Sequence, residues 1–152
     1  MRLEYFEMID RVLTVEPERL VAACRVPAAG DTPVFAGHLP GFPLMPGVLL
    51  IETMAQACGW MLLHRLDYSR MPLLASVTEA KLRSFVLPDA ELEVEATLVH
   101  DGSGYAVAKG RITSGTKRVC EAELTLRTLP FPTPELAAGV RLRARQIGLP
   151  VA

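Results

Sequence analysis

The chain has few cysteines, almost no net charge, no unbroken apolar run and no leader-like start, and each shortage removes a class of function. Cys24, Cys58 and Cys120 are odd in number and scattered, without the close pairing of a zinc site or a disulfide framework, so they are expected to be buried or incidental thiols. A formal net charge of −1 gives no basic excess for a nucleic-acid partner, and none is expected. The longest apolar stretch, Val48 to Leu63, is broken by Glu52, Thr53 and Gln56 and falls short of the about 18 to 20 apolar residues of a membrane span. The opening MRLEYFEMIDR lacks the apolar region of a secretory signal, so a cytoplasmic location is expected by default. No internal repeat and no long linker divides the chain.

What is present suits one globular domain of 152 residues: 50% of them are hydrophobic and 22% charged. Pro43 and Pro46 mark the start of a helix through the apolar stretch, and His64, Arg65 and Asp67 mark its end. Apolar residues lie on nearly every side of that helix, so something must wrap it. Glu52, Gln56 and Gly59, at i, i+4 and i+7, form one narrow polar stripe.

The wrapping comes from segments that alternate with period two. In ELEVEATLVH, Leu92, Val94, Ala96 and Leu98 share one face and the glutamates the other. Turn residues in HDGSG and TSGT separate YAVAKGRIT from its neighbours on either side, which predicts an antiparallel meander. RVLTVEP with RLVAACRVP forms another predicted pair, and LLASVTEAKLRSF adds a strand after the helix. The sum is an α+β layout, one long helix in an antiparallel sheet of five or six strands. Residues 1–129 form that domain, and residues 130–152 are a Pro/Arg-containing tail expected to be a loosely attached segment or short helix.

Two stretches carry a family resemblance: "MIDRVLTVEP" and "GHLPGFPLMPGVLLIETMAQACG". The second meets an H-x-P-G-x-P-x-x-P-G-x-x-x-x-E pattern through His38, Pro40, Gly41, Pro43, Pro46, Gly47 and Glu52. Over roughly residues 7 to 128 the chain closely resembles the (3R)-3-hydroxyacyl-acyl-carrier-protein dehydratases. That resemblance implies a hot-dog fold, a helix wrapped by a curved sheet. It implies conversion of the hydroxyacyl thioester to the trans-2-enoyl thioester on the phosphopantetheine arm of acyl carrier protein, with no metal or redox cofactor. It also implies a homodimer, in some members a trimer of dimers, in which a site takes His38 from one subunit and Glu52 from the other.

The chemistry needs these residue types. Eliminating water from a 3-hydroxyacyl thioester requires a base for the C2 proton and an acid for the departing hydroxyl. Histidine offers an uncharged base near neutrality. A carboxyl can donate only while protonated, and apolar neighbours such as Val48, Leu49, Ile51 and Met54 disfavour its charged form. The helix start near Pro46 has free N–H groups suited to negative charge; Gly47 matches the family position whose N–H contacts the thioester oxygen. Gln56 matches the glutamine that orients the acid. His64 and His100 are assigned no chemistry; Trp60, Met54 and Met61 are expected in the core or along the acyl tunnel.

Carrier docking is assigned to Lys81 and Arg83, which alternate on a predicted strand, with Arg141, Arg143 and Arg145 as a second basic set at the same spacing. The chain departs from the family at Leu39, usually aromatic, at Pro88-Asp89-Ala90, where Pro-Gly-Asp is common, and in its longer tail. These departures bear on acyl-chain length and carrier, and they admit polyketide or aryl-polyene synthesis beside fatty-acid synthesis. Two other functions fit the same fold: an acyl thioesterase, which would release free thiol, and a non-catalytic carrier-binding subunit, which would not need His38 and Glu52.

Overall fold

The computed structural model describes all residues from Met1 to Ala152. β1 (Arg11–Glu16) and β2 (Arg19–Arg25) form a tight hairpin, followed by a short helix α1 (Val34–His38) and the long helix α2 (Gly47–Arg65). The strands β3 (Met71–Leu82), β4 (Glu91–Asp101), β5 (Tyr105–Ser114) and β6 (Lys117–Leu129) follow, and α3 (Pro134–Gln146) closes the chain. All strand pairs are antiparallel and the sheet order is β1-β2-β4-β5-β6-β3, with α2 touching all six strands. The expected architecture is therefore the observed one. No helix is long and apolar enough to cross a membrane.

Small side chains explain how closely the sheet wraps the helix. Ala96 on β4 pairs with Gly110 on β5, which pairs with Ala122 on β6, giving one row of minimal side chains across the inner face. Met54 of α2 lies in the trough this row leaves. A Cβ added to Gly110 would come within 2.6 Å of the Met54 Cβ. Bulk at this row would push the helix off the sheet and open voids on either side, which close-packed interiors do not tolerate. Leu92, Val94 and Ala96 are buried as the alternation predicts, and a bulge after Leu98 ends the pattern. Asp89 has φ of +66°, the left-handed region that favours glycine, and its N–H donates to the Val26 carbonyl. An aspartate tolerates that conformation better than most residues.

The tail is not loosely attached. The Thr133 hydroxyl caps α3 by accepting from the Leu136 N–H, and Pro134 opens the helix. Ala144, Ile147 and Leu149 are buried in the main core, the Ile147 carbonyl accepts from the Val12 N–H at 2.7 Å, and the Tyr68 hydroxyl donates to the Pro150 carbonyl. Because the segment is helical, the three arginines do not share a face as they would on a strand. Arg141 lies over the Tyr68 ring, whereas Arg143 turns toward Ile9 and Glu7.

Candidate active site

The polar stripe on α2 is built as a relay. Gln56 donates from Nε2 to Glu52 Oε1 at 2.9 Å and to the Phe6 carbonyl at 2.6 Å, and its Oε1 accepts from the Met8 N–H at 3.1 Å. One main-chain donor and one main-chain acceptor fix which way the amide points, and so fix the donor aimed at Glu52. Phe6 has φ of +55°, a strained conformation for an aromatic residue, and in it supplies the carbonyl that Gln56 uses. Glu52 is half-buried at the wall of a cavity of about 710 Å³. Gln56, Gly59, Trp60 and Leu63 share that wall, and Phe6, β3 residues and α3 complete it.

His38 ends α1 and is exposed, 6 residues before its one side-chain contact: Nδ1 lies 3.2 Å from the Leu44 carbonyl. A carbonyl only accepts, so Nδ1 carries a proton, and in the neutral ring the lone pair is on Nε2. Gly41, with φ of +80°, makes the turn that brings the chain back toward α2. The N–H of Gly47 has no partner in the chain, and Gly47 lies with His38 in a second cavity of about 280 Å³ that Arg83 also lines.

The expected residues thus fall into two groups. Glu52 and Gln56 share the larger cavity, and His38 and Gly47 share the smaller one. The two groups line separate cavities of the one chain. Of the two cations expected to dock a carrier, Arg83 pairs with Glu121 and lines the His38 cavity, while Lys81 shares a surface groove with Glu79, Glu95, Glu121 and Glu123 and with Lys109 and Arg111. Glu121 is held below the usual carboxylate range by its hydrogen bond from Arg83. Val48, expected beside Glu52 in apolar packing, is 70% exposed, so the surroundings of the acid are less enclosed than the sequence suggests. Met54 and Met61 are core residues and Trp60 lines the Glu52 cavity. Burial pushes each cysteine thiol up to about 12, which removes all three as nucleophiles near neutral pH.

The main-chain partners of Gln56 and the contribution of α3 are the parts of the site that sequence reasoning missed. Met8 and Phe6 are 48 and 50 residues from Gln56 and use backbone atoms, which leave no signature in side-chain pattern.

Comparison with known proteins separates fold from family. A hypothetical thioesterase from Streptococcus pneumoniae, solved with coenzyme A, superposes with a TM-score of 0.62 at 15% identity, covering 81% of this chain and 88% of that one. A dehydratase heterocomplex, ApeI:P from Xenorhabdus doucetiae, superposes with a TM-score of 0.66 at 18% identity, covering 89% of each chain. At such identities the two share a fold with this chain and nothing finer. Sequence discriminates where shape does not. The 3-hydroxyacyl-[acyl-carrier-protein] dehydratase FabZ of Symbiobacterium thermophilum is 39% identical over 133 residues, covering 87% of this chain and 93% of that protein. The FabA-like domain matches residues 2–123, and with that match and the FabZ similarity the chain belongs to the FabA/FabZ dehydratase family.

Proposed function

We propose that the protein dehydrates (3R)-3-hydroxyacyl-acyl-carrier-protein to the trans-2-enoyl thioester, and that each site is shared between two subunits. The observation that carries this reading is the Gln56-held Glu52 at the wall of a mainly apolar cavity, in a chain of the dehydratase family. His38 Nε2 takes the proton from C2 of the substrate. Charge that builds on the thioester oxygen meets the unpartnered N–H of Gly47 at the start of α2. Because Gln56 donates to Oε1 of Glu52, a proton on the acid resides on Oε2, and Glu52 passes it to the C3 hydroxyl, which leaves as water. The C3–O bond breaks as the C2–C3 double bond forms. Solvent exchange returns a proton from His38 and restores one to Glu52. Two proton transfers complete the reaction without a metal or redox cofactor.

Sharing accounts for the separation of His38 from Glu52 within one chain. β3 is an edge strand, and Leu73 and Leu74 on it are exposed, as are Leu82, Phe85 and Leu87 at its end. An open edge with that much apolar surface calls for cover, and a second copy paired edge to edge supplies it. The same pairing would bring the His38 loop of one subunit toward the Glu52 cavity of the other. Arg83, at the rim beside His38, is the docking cation best placed for an acidic carrier, with Lys81 two residues away. The test is incubation with 3-hydroxyacyl-carrier substrates of graded chain length, followed by intact mass. Loss of one water from the acyl chain supports the reading, and release of free thiol would instead make the protein a thioesterase. The chain-length profile assigns fatty-acid, polyketide or aryl-polyene synthesis.

A further inference from the structure

The whole of α3 lies beyond residues 2–123, the part matched by the FabA-like domain, yet α3 walls the Glu52 cavity. Gly139, Val140, Leu142 and Arg143 face that space, with Phe131 from the segment before the helix. The helix is anchored at its C-terminal end and at the cavity wall. Ala144, Ile147 and Leu149 sit in the core, and Arg143 is tied to the Ile9 carbonyl and to Glu7. The C-terminal end of α3 is therefore held against the core, and the helix runs from there along the cavity.

Gly139 stands out on that wall. Its φ is not positive, and a Cβ built on it would meet nothing within 4 Å. Neither backbone conformation nor packing calls for glycine there, and glycine weakens a helix interior. Gly139 is exposed where α3 borders the cavity, so a side chain placed there has room beside it. Most polar groups nearby are already engaged, Gln56 with Glu52 Oε1 and Arg143 with Glu7 and Ile9, which leaves Gln146 and Glu52 Oε2 free. Of the 20 residues lining the cavity 12 are hydrophobic, so it offers an occupant apolar contact and few free hydrogen bonds.

We propose that α3 is the specificity wall of the acyl site, confining the hydrocarbon chain of the substrate across from Glu52, with Gly139 setting the width available to it. This rests on the dehydratase reading, which supplies the acyl chain as occupant. The variant Gly139→Leu projects into open space and exchanges a poor helix former for a good one. It is expected to melt no lower than wild type. Its kcat/KM for 3-hydroxydodecanoyl-carrier should fall about tenfold or more relative to that for 3-hydroxybutyryl-carrier, the scale set by small volume changes in an apolar pocket. Leu142→Ala should move the same ratio the other way.

Binding gives a second readout that does not need turnover. Trp60, the single tryptophan, lines the cavity, so its fluorescence reports occupancy by a non-hydrolysable dodecanoyl-pantetheine analogue with a methylene between carbonyl and sulfur. Gly139→Leu should weaken that binding about tenfold relative to a butyryl analogue. Wild-type protein that binds the long analogue, loses affinity in Gly139→Leu and dehydrates nothing would overturn the dehydratase reading and leave the wall standing. An unchanged ratio in Gly139→Leu, equal losses on short and long chains, or no binding of the long analogue by wild type would overturn the wall.

Discussion

The two halves of the proposed site are held in different ways. On α2, Glu52 is oriented by a glutamine that makes three hydrogen bonds, two of them to the main chain near residues 6 to 8, all inside one chain. On α1, His38 stands exposed with a single contact to the Leu44 carbonyl. The acid half is finished within the subunit, and the base half is oriented but uncovered. That asymmetry is what a shared site predicts, because the groups that would enclose His38 belong to another copy.

The largest effect should come from removing either half. His38→Ala and Glu52→Gln are each expected to lower kcat by about 10² to 10⁴-fold, the usual worth of a general acid or base. The exposed histidine should leave the melting curve unchanged. Near-wild-type turnover in either variant would remove that residue from the mechanism.

Next in size is separation of the halves. Ala75→Asp combined with Leu87→Asp places charge on the exposed edge strand and its following loop, outside both cavities. Size-exclusion chromatography is expected to show a smaller species, with turnover lost in proportion to the dimer lost. A monomer of full activity would place both halves in one chain.

Gln56→Leu sharpens the comparison because it touches only the finished half. It leaves the Met8 N–H and Phe6 carbonyl without their partner, at a cost of about 1 to 3 kcal/mol in stability. It also frees Glu52 to rotate, so kcat should fall while KM changes little. A loss in KM alone would make Gln56 a binding residue.

The smallest effect concerns the rim of the unfinished half. Charge reversal at Lys81 and Arg83 is expected to raise KM for carrier-linked substrate a few-fold, mainly at low salt, and more than for a pantetheine-linked analogue. Equal losses on both would assign the two residues to the chemistry.

Much of this was legible in the sequence, for reasons that particular residues show. The helix through Glu52 was announced by Pro46 and by apolar residues all round, and the strands by alternation such as Leu92-Val94-Ala96. Helix α1 was not announced: it has five residues, one of them Gly37, too few for any period to show. A short helix was one of the two expectations for the tail, and what was not legible is its attachment, because the core contacts come from Ala144, Ile147 and Leu149 near its end. The candidate pair His38 and Glu52 was legible as a motif, but its division between two cavities was not, since spacing along the chain does not encode which wall a side chain joins. The exposure of Val48 is of the same kind: the sequence marks it as apolar, and only the fold shows that its side of the first turn of α2 faces outward while Leu50 is buried.

The central claim is that one subunit supplies the base and another the acid, and mixing inactive subunits tests it most directly. His38→Ala and Glu52→Gln chains, mixed in equal amounts with exchange verified by native mass spectrometry, should recover about a quarter of wild-type activity, since half the two-fold dimers are mixed and each has one intact site. Verified exchange with no recovery would contradict the shared site.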